Sequence, residues 1–341
     1  MNRVRRAAVI LLVAVVALGG CSGGGSATDN DGGSRTPSGT TASQAPSGVG
    51  VGTYPIPQEL ATIPKGFTSP ASQQGTLVEL NYDTFESMTY ESGTQELSKR
   101  AIVYLPPGYD ASVRYNVFYL MHGGWSNETG TLGTPDNPSA FKNVMDNAIA
   151  AGDIEPLIIV SPTYNNTSPD DSGNFGLALT LNQNYHHELL NDLIPAVEGI
   201  YSTYADDVSP EGLMASRDHR GFGGFSMGAV ATWRTFQYGL DYFRYFLPMS
   251  CGTSLDMDNI LAAAQGRNPT DFFVWVITGT EDFAHSYDED RIGLMRESSY
   301  FSEADNEQDG NFAYRVKDGY SHDGVSAMEY TYNGLRWFWH T

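Results

Sequence analysis

The chain has 341 residues and a formal net charge of −21, from 19 basic and 40 acidic side chains. Such acidity speaks against nucleic acid or an anionic membrane surface as a partner and suits a neutral or weakly charged substrate. Its two cysteines, Cys21 and Cys251, lie far apart, one of them in the leader, so no disulfide framework is expected.

At the start, Arg3, Arg5 and Arg6 precede an apolar run from Ala7 to Leu18, shorter than the ~20 residues a bilayer requires. The run ends in Leu18-Gly19-Gly20-Cys21, which resembles a bacterial lipobox. Residues 1–21 are therefore expected to form a lipoprotein signal peptide, with Cys21 acylated. The protein would then sit lipid-anchored on the extracellular face of the cell membrane, or be secreted, with membrane contact only through that anchor. Residues 22–52 are Gly, Ser, Thr, Asp and Pro with hardly an aliphatic side chain. They cannot bury enough apolar surface to fold and are read as a flexible tether. Residues 53–341 suit one α/β domain.

Within that domain Thr76 to Tyr82 and Ser98 to Leu105 read as an edge hairpin, closed off by the hard turn Pro106-Pro107-Gly108-Tyr109. Val117 to Met121 is a short apolar run, as a strand buried on both faces should be, and it leads into His122-Gly123-Gly124-Trp125. Ala140 to Ala151 reads as helix and Leu157 to Val160 as the next strand. Tyr185 to Tyr201 has helical periodicity, with Pro195 as a place for a kink and His186-His187 near its start. Strands follow at Arg220 to Phe225, Tyr245 to Met249, Phe272 to Thr278 and Phe312 to Val316. Val325, Met328, Leu335 and Trp339 share one face of a closing helix. Alternating strands and helices predict a mostly parallel central sheet with helices on both faces, whose ligands bind at the carboxyl ends of the strands.

Gly224-Phe225-Ser226-Met227-Gly228 carries the chemistry. G-x-S-x-G between a strand and a helix is the nucleophile elbow of the α/β-hydrolase fold. A serine hydroxyl needs a base within reach, and the base needs an orienting acid. In this fold the order is Ser, acid, His. His322 lies in a loop between the last strand and the last helix, whereas His340 stands next to the chain end. The acid should follow the strand Phe272 to Thr278; Asp282 is the choice and Glu281 the alternative. Two backbone donors are expected at the oxyanion, the N–H groups of Gly124 and Met227. Trp125, Tyr164 and Phe283 are candidates for an acyl pocket. Cys251, after an apolar run, is read as a buried structural thiol. Asp282, His285, Asp288 and Asp290 cluster in sequence, but their spacing matches no known metal site, and no metal or cofactor is expected.

Val103-Tyr104-Leu105-Pro106-Pro107-Gly108-Tyr109, Tyr119-Leu120-Met121-His122-Gly123-Gly124, Glu188-Leu189-Leu190-Asn191-Asp192-Leu193-Ile194-Pro195 and the elbow resemble the esterase D group of α/β-hydrolases. Within it they are most similar to carbohydrate esterase family 1, the feruloyl and acetylxylan esterases. The family often carries Gly-Gly-His before its base, where this chain has Ser321 before His322. The resemblance implies a serine carboxylesterase acting on feruloyl or acetyl esters of xylan-type polysaccharide, with Ser226, Asp282 and His322 as triad. A small ester, or feruloylated or acetylated polysaccharide, would be its substrate. Acyl transfer of the mycolyltransferase type, hydrolysis of a siderophore ester or thioester, and non-catalytic polysaccharide binding are the competing readings.

Overall fold

A computed structural model describes residues 54–340. The readings of residues 1–21, Cys21 and the tether 22–52 lie outside the described residues. The strands are β1 Thr76–Phe85, β2 Glu96–Leu105, β3 Asn116–Met121, β4 Gly133–Thr134, β5 Asn137–Pro138, β6 Leu157–Ser161, β7 Arg220–Phe225, β8 Tyr245–Met249, β9 Phe273–Gly279 and β10 Phe312–Lys317. The helices are α1 Ala140–Ala151, α2 Phe175–Glu188, α3 Ile194–Glu198, α4 Pro210–Ala215, α5 Met227–Gly239, α6 Met257–Leu261, α7 His285–Glu297 and α8 Gly324–Trp337.

Eight strands form one sheet in the order β1-β2-β6-β3-β7-β8-β9-β10. The β1–β2 hairpin is antiparallel and sits at the edge; β2 also runs antiparallel to β6, and the remaining pairs are parallel. The strands carry apolar side chains on both faces because both are covered. On β3, Val117, Tyr119 and Met121 pack into one core, and Phe118 and Leu120 into the other. Cys251 is buried and unpaired, as read, and Trp233 lies fully inside.

The register lines up the strand ends that matter. Met121 pairs with Gly224, Phe225 with Met249, Met249 with Ile277, and Gly279 with Lys317. The loops after β3, β7, β8, β9 and β10 therefore emerge side by side.

Three expectations are corrected. The helix read from Tyr185 begins at Phe175, capped by Asn174, so His186 and His187 occupy its last turn and not its start. The wide turn Leu189–Leu193 then leads without a break into α3, and its looser winding accommodates Pro195, which has no N–H to give; Ile200 lies past the end and is exposed. In the closing helix Leu335 is buried, but Val325 is 56% exposed and Trp339 lies beyond the end of α8.

Candidate active site

Ser226 joins β7 to α5 with φ 61° and ψ −117°, a conformation non-glycine residues rarely adopt. The turn is possible because of its two glycines. A Cβ on Gly224 would lie 2.6 Å from the Gly228 backbone, and one on Gly228 would run into the carbonyl of Met121 at the end of β3. The chain so folded lifts Ser226 out of the sheet. Its hydroxyl makes no hydrogen bond among the described residues and is free to meet a base.

Asp282 and His322 are brought together from the ends of β9 and β10. His322 Nδ1–H donates to Asp282 Oδ1 at 2.8 Å and lies 3.0 Å from Oδ2. That leaves Nε2 for the nucleophile. The imidazole packs on Phe225, next to Ser226, with ring centroids 4.5 Å apart. Glu281, the alternative acid, is exposed, whereas Asp282 is buried. Burial pushes the Asp282 carboxyl up, but the hydrogen bonds from His322 and the Ala284 N–H outweigh it and hold the group below its usual range. The two loops are stitched together. Glu281 N–H donates to the Tyr320 carbonyl at 3.1 Å, and Thr280 N–H to that of Lys317 at 3.0 Å. Asp323 caps the first turn of α8 directly after His322.

The loop after β3 has a defined polarity. The Gly123 carbonyl accepts from His122 Nδ1–H at 2.7 Å and from the Tyr164 hydroxyl at 3.1 Å. A trans peptide then points the Gly124 N–H the opposite way. That N–H makes no hydrogen bond among the described residues. The Met227 N–H, the second donor expected from the sequence, opens α5 and has no acceptor within the helix. The Gly123 backbone lies against Ser226, since a Cβ there would sit 3.5 Å from that of the serine.

His122 is buried, which pushes its imidazole down to about 4 and keeps it neutral. Because a carbonyl can only accept, Nδ1 carries the proton and Nε2 accepts from Thr163 Oγ1–H at 2.7 Å. Thr163 is in turn fixed through its carbonyl by Lys99 at 2.8 Å, whose charge is paired with buried Glu188 at 2.7 Å.

Tyr164 is thus corrected from an open pocket wall to a fully buried support that spends its hydroxyl on Gly123. Sequence reasoning saw an aromatic near a loop; no local signal marked which way its hydroxyl points. The other two aromatics are exposed to solvent. Trp125 is 78% exposed, with φ 55°, and its loop is fastened to Ser172. It borders a cleft of about 310 Å³ that it shares with Ser126, Asn127, Pro169, Asp170, Ser172 and Gly173. Phe283 is 61% exposed and lies 4.3 Å from the His322 ring. The sequence cluster Asp282, His285, Asp288 and Asp290 does not converge: Asp282 faces His322, Asp288 faces Arg291, and His285 faces Glu289 at 3.3 Å.

The Esterase family model matches residues 93–291. Endo-1,4-beta-xylanase Y of Acetivibrio thermocellus is 37% identical over 285 residues, covering 81% of this chain and 24% of that protein. The endo-1,4-beta-xylanase/feruloyl esterase of Xylanibacter ruminicola is 31% identical over 175 residues, covering 49% of this chain and 22% of its own length. The chain therefore spans about a quarter of the length of these curated relatives. Among solved structures, a mutant of the feruloyl esterase module from Clostridium thermocellum, complexed with sinapinate, superposes with a TM-score of 0.70 at 34% identity, covering 83% of this chain and 94% of that one.

Proposed function

This chain belongs to the esterase family, in the α/β-hydrolase branch related to carbohydrate esterase family 1, and on that premise we propose that it hydrolyses feruloyl esters on xylan-type polysaccharide. The observation that carries the reading is the Asp282–His322 hydrogen bond set beside a strained, unbonded Ser226. A relative whose matched module is a feruloyl esterase supports the choice of acyl group. Two exposed aromatics, Trp125 and Phe283, suit an aromatic acid or a sugar ring.

In this scheme Ser226 Oγ attacks the ester carbonyl carbon and its proton passes to His322 Nε2. The oxyanion is held by the Gly124 and Met227 N–H groups. The C–O bond to the sugar breaks, and the leaving alkoxide takes the proton back from His322. Water then attacks the acyl-serine, gives its proton to His322, and the free acid departs as that proton returns to Ser226 Oγ. Asp282 stays ionised throughout and keeps Nδ1 protonated. Lipid anchoring through Cys21 would put this chemistry at the cell surface, where polymeric substrate is met.

The test is a panel of methyl ferulate, acetylated xylan and nitrophenyl acetate. The native chain is expected to prefer methyl ferulate, and Ser226→Ala to abolish turnover of all three; more than a trace of activity in that variant would overturn the mechanism. An acylated sugar formed on adding a sugar acceptor would redirect the reading to acyl transfer. Loss of the protein from the membrane fraction on Cys21→Ala checks the anchor.

A further inference from the structure

Asp288 and Arg291 take no part in that scheme, yet both are buried, at 0% and 3% exposure, one turn apart on α7. They pair at 2.6 Å. The remaining hydrogen bonds of both charges go to one short loop, the residues after β8. Asp288 Oδ2 accepts the Cys251 N–H at 3.2 Å. Arg291 Nη2 donates to the Cys251 carbonyl and, at 2.7 Å, to that of Thr253. The pair thus holds the N–H and the C=O of a single residue, with a second carbonyl two positions on. A buried ion pair costs heavily in desolvation, and apolar side chains would fill the same space more cheaply. What sets this one apart is the loop it grips.

That loop and its immediate neighbours border all three triad residues, His322 only through Phe283. Met249, just before it, accepts the Ser226 N–H at 2.9 Å. Ser250, fully buried with φ 50°, has its hydroxyl 3.3 Å from Thr278 Oγ1 and near enough to Asp282 to help hold that carboxylate below its usual range. Gly252 lies under Phe283 so closely that a Cβ would strike the ring, and Phe283 in turn covers His322. The left-handed backbone at Ser250 persists only where its surroundings enforce it.

We infer that Asp288 and Arg291 act as one positioning unit for ester hydrolysis: they lock the loop 250–253 so that Ser250 orients Asp282 and Phe283 keeps His322 in place. The inference rests on the serine-hydrolase reading above. The cysteine between the two contacts is a spacer and not a nucleophile, since burial pushes its thiol up to about 12.

The test uses three variants and two readouts. Ser250→Ala removes only a hydroxyl, and kcat on nitrophenyl acetate is expected to fall roughly 10-fold with KM and melting temperature held. Asp288→Asn with Arg291→Met removes both charges together and leaves none unpaired; kcat is expected to fall roughly 10- to 100-fold with KM again held. Arg291→Lys keeps the charge but replaces the planar two-nitrogen fork with a single, shorter-reaching nitrogen, so it should fold without restoring kcat. The second readout needs no turnover: the downfield proton resonance of His322 Nδ1–H is expected to shift and broaden in Ser250→Ala and in the double variant. Folded variants with native kcat and an unmoved resonance overturn the inference. An active native enzyme with unaffected variants sinks the positioning role alone; an inactive native chain whose resonance still moves in the variants sinks the esterase reading and keeps the positioning role.

Discussion

On the β3–β7 side of the site, Ser226 and the two N–H groups proposed as oxyanion donors are set by backbone. Gly224 and Gly228 permit the close approach, the sheet register fixes neighbouring strand ends, and the Gly123 peptide is held from behind by His122 and Tyr164. On the β9–β10 side, Asp282 and His322 stand on loops and are set by side-chain charge and hydrogen bonds. The nucleophile side has its geometry built in as the chain folds. The acid–base side depends on ionisation states and on residues, such as Asp288 and Arg291, that touch no substrate. The difference matters because, in the proposed scheme, the backbone N–H donors keep one state throughout, whereas the base changes charge in every cycle.

The largest effect that would break this comparison comes from Asp282→Asn. It leaves shape almost unchanged but no longer fixes the proton on His322 Nδ1, and kcat is expected to drop about 10⁴-fold. Because the β9–β10 stitching is backbone to backbone, the variant should fold, with the melting temperature lowered only by the lost contribution of the carboxylate. A loss of only a few-fold would mean that the acid–base half is held by shape after all.

Acidification should separate the halves next. The folded His122 titrates near 4 and an unfolded histidine near 6.5. Between those values the unfolded chain binds the extra proton, so stability rises with pH and is lost as pH falls from 6.5 toward 4. For this buried ring the full loss amounts to about 3 kcal/mol. His186 and His219, also pushed down to about 4 by burial, act in the same sense elsewhere in the fold. Asp282, held below its usual range, gives up its contribution only further down, as pH falls through its folded value. Urea unfolding from pH 7 to 4, with amide exchange read at Gly123 and Gly124, should show the oxyanion loop opening before the Asp282–His322 pair. The reverse order would invert the comparison.

Much of the first half was legible in the sequence, because its constraints are local. G-x-S-x-G and His-Gly-Gly each say what their own backbone must do: the chain turns sharply at Ser226 between β7 and α5, and the roles of the Gly124 and Met227 N–H groups belong to the proposal. Asp282 and His322 were legible through strand order, since a parallel sheet delivers successive loops to one edge. The support behind them was not. Tyr164 looks like any of the chain's 20 tyrosines until the fold turns its hydroxyl onto Gly123. Asp288 reads as one of several acids in a helix until Arg291 and Cys251 close around it. The start of α2 at Phe175 escaped because its first turns face partly to solvent and show little periodicity.

The smallest effect tests the backbone half at its weakest point. Tyr164→Phe removes one of the two donors to the Gly123 carbonyl and leaves His122 as the other. The ring stays stacked on His122, with centroids 4.6 Å apart, so packing is kept. A neutral hydrogen bond is worth about 1 kcal/mol net, which corresponds to a fall in kcat of roughly 5-fold if it is expressed in the transition state. KM should not move, because the Gly124 N–H does its main work on the oxyanion and less on the ground-state carbonyl. A change in KM with kcat intact would mean that Tyr164 shapes the substrate pocket, as its sequence position suggested. No change in either would leave His122 as the sole keeper of the peptide, and the backbone half would then hang on the one imidazole whose protonation below pH 5 the acid experiment already probes.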